Sequence, residues 1–219
     1  LDIFENYKIT GNILDVGCWI GYFLEEAKKR GWNVYGTEYT NQAVNICENK
    51  GIKMYKGKLE PENFTSNSFD IITSFEVIEH INNPSEEIQN YYKLLRKGGL
   101  FYCTTPNFNS ISRRILKEKW NTICYPEHLS YYTSKTLSNL LKLNDFSTIK
   151  VKTTGISINI FKKSLGKTNQ KIIEANSDDE NLRQKMENKI LFNYMKKVLN
   201  RVLTIFRLGD TIKIYAEKK

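Results

Sequence analysis

Two acidic residues and two glycines mark the first place where this chain could do chemistry. Asn12-Ile13-Leu14-Asp15-Val16 reads as a buried strand, and Gly17-Cys18-Trp19-Ile20-Gly21 turns from it into a helix. Glycines there let the backbone turn sharply and approach a ligand, while the helix start offers unpaired N–H groups. A dinucleotide fold places pyrophosphate at that end, but Asp15 would repel a phosphate and suits a cationic amino-acid moiety. Glu38 closes the next strand, 21 residues beyond Gly17, where a carboxylate can accept both hydroxyls of a ribose. The two acids together fit a nucleoside that carries positive charge and no phosphate.

The chain has only two histidines, His80 and His128. His80 follows the fourth strand and His128 lies in an aromatic loop after the fifth, at the sheet edge where ligands bind in such folds. Either could serve as the general base that a neutral hydroxyl needs before it attacks, since imidazole titrates near neutrality. His80 could equally be a structural residue beside Glu79. Asn107, just past Pro106, reads as a hydrogen-bonding group for an acceptor or as a turn residue. Tyr125, Tyr131, Tyr132 and Trp120 read as pocket walls or loop anchors. Arg113 and Arg114 could grip an anionic group on the acceptor, with a solvated helix face as the plainer reading. Two distant histidines without an HxxxH or paired-Asp pattern lead us to expect no metal.

These residues need a scaffold, and the spacing supplies one. Short β-branched runs alternate with amphipathic ones: strands over 12–16, 33–37, 52–56, 69–74 and 100–105, helices over 21–30, 41–50 and 85–96. Pro84 enters the third helix and Gly98-Gly99 is expected to stop it. Such alternation implies right-handed crossovers and a mostly parallel sheet with helices on both faces. The rhythm breaks at 107–132, a long irregular stretch that reads as an acceptor loop. A helix capped by Ser134 and a sixth strand over 146–154 follow. Residues 162–181 read as a polar, mobile segment. A long helix from Leu182 to Phe206 has apolar positions wider than one stripe. It is read as packed on the sheet, with a homodimer interface or a membrane-surface contact as sharper ideas. The last strand runs over 211–216. One domain over 1–219 accounts for the whole pattern.

Bulk properties limit the partners. Hydrophobic residues are 40% and charged residues 26%, values of an ordinary folded protein rather than a disordered one. No apolar run approaches the roughly 20 residues of a membrane-spanning helix, and no signal peptide is read before the first strand, although the chain starts at Leu1. Four scattered cysteines form no CxxC pair and suit reduced thiols in a cytoplasmic protein. The net charge of +9 comes from 33 basic and 24 acidic residues in scattered pairs. That favours an anionic small molecule over nucleic acid, for which no basic block is present.

The motifs in order resemble one family. Ile13 to Gly21, Phe69-Asp70-Ile71-Ile72, Val77-Ile78-Glu79-His80 and Lys97-Gly98-Gly99 look like class I S-adenosylmethionine-dependent methyltransferases. The continuation Thr105-Pro106-Asn107, Tyr125-Pro126-Glu127-His128 and Ser134 to Phe146 is similar to the branch with ubiquinone-biosynthesis and sugar or surface-polysaccharide methyltransferases.

The resemblance covers roughly residues 11–155. It implies an α/β, Rossmann-like, seven-stranded methyltransferase sheet, mostly parallel with one antiparallel strand, helices on both faces and S-adenosylmethionine as cofactor. It also implies roles: Asp15, Gly17, Cys18 and Gly21 hold the methionine end. Glu38 takes the ribose, with Tyr39 near the adenine and Lys58 and Leu59 at the adenine edge. Phe75 and Glu76 line the methionine and sulfonium. Asn107 and Tyr125, read from the residues themselves, remain candidate acceptor-side groups.

Two departures stand out. Trp19 occupies a usual glycine, and Lys58 replaces a usual acid. The function expected is O-methylation of a sugar or phosphorylated cell-envelope or capsule precursor, as in polysaccharide biosynthesis. N-methylation, a quinone-precursor acceptor and a non-catalytic nucleotide-binding regulator or scaffold stay open beside it.

Overall fold

A computed structural model describes residues 1–5, 11–120, 122–156 and 190–219. The expected mobile segment at 162–181 and the first part of the long helix lie outside the described residues. Seven strands, β1 (Asn12–Val16), β2 (Asn33–Glu38), β3 (Lys53–Lys56), β4 (Phe69–Phe75), β5 (Leu95–Pro106), β6 (Phe146–Thr154) and β7 (Thr211–Lys218), form one sheet in the order β3-β2-β1-β4-β5-β7-β6. The pairs β3–β2, β2–β1, β1–β4 and β4–β5 are parallel, and β7 runs antiparallel between β5 and β6. The chain winds outward through β3, then restarts on the other side of β1 at β4. That reversal opens a crevice at the carboxyl ends of β1 and β4.

Period-two alternation builds the two faces of the sheet. Leu14, Ile72, Phe101, Cys103 and Ile214 enter one buried cluster with Ile88, Tyr91 and Leu94 of α4 (Pro84–Leu94) and Leu137 and Leu141 of α6 (Ser134–Leu143). Their sequence neighbours Ile13, Ile71, Leu100, Tyr102 and Tyr215 enter the other, with Phe4 of α1 (Asp2–Glu5), Leu24 and Ala27 of α2 (Tyr22–Lys29) and Cys47 of α3 (Asn41–Asn49). Strands β1, β4, β5 and β7 thus bury both sides, as a sheet covered by helices on both faces requires.

Three local expectations shift. The α4 helix ends at Leu94 rather than at Gly98-Gly99, because Leu95 is already extended and pairs with Phe69. The N-cap of α6 is Thr133, whose hydroxyl accepts from the Thr136 N–H in a reciprocal capping box, and Ser134 is the first helical residue. The loop after β5 contains a short helix, α5 (Ile111–Leu116), capped by Ser110. The last helix, α7 (Ile190–Phe206), leads through a tight turn into β7.

Candidate active site

The tip of β1 makes the first wall of a cleft. Gly17 has φ +72°, and a Cβ there would meet Val77 Cγ2 at 2.7 Å, so the position needs both the left-handed backbone and the missing side chain. Its N–H and that of Cys18 donate to the Thr37 carbonyl, which ties the loop to β2. Trp19 holds the left-handed conformation too, at φ 48°, with its ring 63% exposed. The turn therefore accepts a tryptophan where the resemblance implied glycine, at the cost of backbone strain.

Glu38, at the tip of β2, is fixed by three backbone N–H groups: Trp19 at 3.0 Å, Tyr39 at 2.8 Å and Thr40 at 3.2 Å. Those bonds hold its carboxylate between the two strand tips, where a ribose would reach it. Gly17, Glu38, Tyr39, Lys58 and Leu59 line one narrow cavity, closed from the far side by Val77, Ile81 and Glu87. The predicted adenine-side residues are thus brought together, while Val77, Ile81 and Glu87 were missed. Burial holds the Glu87 carboxyl above its ordinary range, against the lowering effect of Lys58 in the same lining. Its helical spacing in α4 gave no sign of that.

Asp15 is placed differently from the expectation. It is only 2% exposed and receives the Thr73 hydroxyl at 2.7 Å from the neighbouring strand β4. It forms the floor under the glycine loop rather than an open wall. Burial pushes its carboxyl up to about 7 against the lowering effect of the Thr73 bond. A fixed cation above it would restore the charged form. Cys18 is a packing thiol: its sulfur contacts Met54 and Trp19 inside the core, and burial raises its pKa well above the ordinary range, helped by nearby Asp15. Its backbone, not its side chain, belongs to the loop. Phe75 packs edge-on against Phe23 and Tyr102 beneath the cleft.

The other half of the site forms where β4 ends. Glu76 adopts φ 54° and donates its N–H to the Thr104 carbonyl of β5. Its carboxyl is held above the usual range, first by desolvation and then by the like charge of Glu79, although one side stays open to solvent. A turn over Ile78–His80 follows. Glu79 is buried, accepts the Thr105 hydroxyl at 2.9 Å, and offers its carbonyl to the N–H groups of Leu129 and Ser130. That fastens the loop after β5 onto the turn after β4.

The same fastening brings the two histidines together, with ring centroids 4.8 Å apart and nearly perpendicular. His80 Nδ1 lies 2.7 Å from the Glu127 carbonyl and His128 Nδ1 lies 2.8 Å from the Thr122 carbonyl. A carbonyl can only accept, so both Nδ1 atoms carry a proton; in a neutral ring the lone pair is then on Nε2. One donor atom each from Glu79, His80 and His128 lies within 4.8 Å of the others, a set that could hold a metal ion. The sequence reading expected no metal because no short motif joins these residues; the loop closure does.

Asn107 corrects another expectation. It is fully buried, its amide N–H groups donate to the Arg207 and Gly209 carbonyls, and its oxygen accepts from the Asn109 N–H. With both ends of the amide used, it latches the acceptor loop to the turn before β7 and leaves nothing for an acceptor. Tyr125 is 83% exposed and does not join the histidine cluster. Arg113 stacks 3.8 Å over the Phe108 ring and Arg114 donates to Asn109, so both arginines work inside the loop.

The fold is the Rossmann-like one of S-adenosylmethionine-dependent methyltransferases. The chain belongs to the methyltransferase domain family, whose model matches residues 2–151. It is 31% identical over 106 residues to a ubiquinone biosynthesis O-methyltransferase of Actinobacillus pleuropneumoniae, covering 43% of this chain and 45% of that protein. The chain thus spans less than half the length of that curated relative. A SAM-dependent methyltransferase from Archaeoglobus fulgidus superposes with TM-score 0.65 at 17% identity, covering 99% of this chain and 90% of that one. Phosphoethanolamine N-methyltransferase 2 of Haemonchus contortus, in complex with S-adenosyl-L-methionine, superposes with TM-score 0.57 at 17% identity, covering 99% and 51%. Both likenesses are of fold.

Proposed function

We propose that this chain transfers a methyl group from S-adenosylmethionine to a hydroxyl oxygen of a small molecule. The observation that carries the reading is the Glu79, His80 and His128 cluster, at the same sheet edge as the donor cleft. In the reaction an oxygen lone pair bonds to the methyl carbon while the carbon–sulfur bond breaks and its electrons return to sulfur. Alignment of the two supplies much of the rate. The hydroxyl must also lose its proton, and the neutral imidazole of either histidine can take it. Asp15 and Glu38 serve the donor: the first draws the cationic amino-acid end, the second holds the ribose.

The cluster also fits a divalent cation. Two imidazoles with Nδ1–H anchored on carbonyls, beside the buried Glu79 carboxyl, are a suitable donor set. Glu79, His80 and His128 would hold the ion, and it would lower the pKa of a hydroxyl brought to it.

Separate observations support two acceptor classes. The +9 net charge suits a phosphorylated sugar or another anionic cell-envelope or capsule precursor. The relatedness to ubiquinone O-methyltransferases suits a phenolic quinone precursor. Screening sugar phosphates, nucleotide sugars, catechols and amines for release of S-adenosylhomocysteine, with and without chelator, tests the reading. Turnover on a hydroxyl acceptor is expected. Turnover on amines alone would replace it with N-methylation, and donor binding without turnover on any of them would favour the non-catalytic regulator.

A further inference from the structure

We infer that α7 is a membrane-surface helix, docking this domain on an anionic lipid bilayer. The inference stands independently of the acceptor. At about 100° per residue, the α7 positions Met195, Val198, Leu199, Val202, Ile205 and Phe206 share one face. All six are exposed. The face turned to the sheet is instead mostly polar: Asn200 accepts the Gly155 N–H, Thr204 donates to the Thr153 carbonyl, and Thr153 donates to the Leu203 carbonyl. Leu203 is the apolar residue buried on that side. A surface helix of a globular protein normally points its apolar stripe inward; here the stripe points out over about a third of the circumference.

The charges say what covers it. Ile190–Phe206 contains Lys196, Lys197 and Arg201 and no acidic residue, and Arg207 follows at once. Lys197 and Arg201 border the apolar face on one side, and Arg207 follows just past the helix end. On the Lys197 and Arg201 border the helix and β6 enclose a groove of about 410 Å³ lined by Lys152, Lys197 and Arg201, with Thr154, Asn200 and Thr204. Desolvation first, and then the nearby Lys150 and Lys213, lower the pKa of Lys152, as expected where cations crowd together. An apolar stripe beside a cationic margin, on a helix with no acidic residue, matches acyl chains below a layer of phosphates.

A second copy of α7 fits poorly, because pairing would gather the lysines and arginines of both helices with no acidic residue on either to offset them. Docking would also lie beside the acceptor edge, since the turn after α7 is bonded to the β5 loop through Asn107, Ile111 and Ser112.

Vesicle flotation with the full chain tests this, using phosphatidylcholine alone and about a 7:3 mixture with phosphatidylglycerol. The wild type is expected on the anionic vesicles only. Lys197→Gln/Arg201→Gln should weaken binding about fivefold per cation removed. Val202→Ser/Ile205→Ser should weaken it at least about tenfold, with calorimetric affinity for S-adenosylhomocysteine unchanged in both as proof of folding. Absence of binding to either vesicle would overturn the inference. So would sedimentation velocity showing a wild-type dimer that Val202→Ser/Ile205→Ser dissociates, which would give the face to a second copy.

Discussion

Asp15→Asn is the substitution whose outcome follows most directly from the structure. The buried carboxyl has its pKa raised from 3.8 to about 7, burial outweighing the Thr73 bond. The folded state therefore holds this proton more tightly than the unfolded chain does. The stability this adds is complete below about pH 3.8 and is lost as pH climbs through about 7. Ionising Asp15 in the empty site costs about 4 kcal/mol in all, from roughly three pKa units at 1.36 kcal/mol each. Between pH 5.5 and pH 8.5 the wild type should lose about 2 kcal/mol from this group alone.

Asparagine is nearly isosteric, keeps an oxygen for the Thr73 hydroxyl and does not titrate. Urea unfolding at both pH values should show the Asn variant lacking that 2 kcal/mol decline and more stable than wild type at pH 8.5. Its affinity for S-adenosylmethionine should fall, because the carboxylate drawn to the cationic end is gone. Equal pH dependence in the two proteins would refute the reasoning.

Glu38→Ala should weaken donor binding by roughly 10- to 100-fold, the loss of hydrogen bonds to a charged acceptor; unchanged calorimetric affinity would remove Glu38 from the ribose site. His80→Ala and His128→Ala should each lower turnover by about 10²- to 10⁴-fold while leaving donor affinity nearly intact. If a metal is held there, a chelator should match that loss in the wild type and add little in either variant. Full activity in both histidine variants would exclude the cluster from the chemistry. Trp19→Gly should stabilise the protein by about 1 kcal/mol, since relief of left-handed strain exceeds the entropy glycine adds to the unfolded chain. Destabilisation in thermal unfolding would mean that the indole contact with Tyr22 outweighs the strain.

Much of the scaffold was readable because its signals are local. Alternating β-branched runs, the glycines at 17 and 21, and an acid at each of the first two strand ends mark the parallel half of the sheet and the cleft at the tips of β1 and β2. What escaped depends on partners remote in the chain. Asn107 reads as a ligand until its amide is seen bonded to Arg207 and Gly209, on the far side of α7. His80 and His128 look unrelated until the Glu79 carbonyl ties down Leu129 and Ser130. Asp15 was correctly placed at the strand end, but its depth depends on Thr73 in a neighbouring strand. Amphipathic spacing in α7 marks an apolar face without saying which way it points; only the contacts with β6 show that it faces outward.

A crystal structure of the complex with S-adenosylhomocysteine tests the central claim most directly. The account predicts the ribose hydroxyls on Glu38, the amino-acid end over the Gly17 loop above Asp15, and the sulfur turned toward His80 and His128. A ligand seated elsewhere, or one whose sulfur faces away from both histidines, would contradict it.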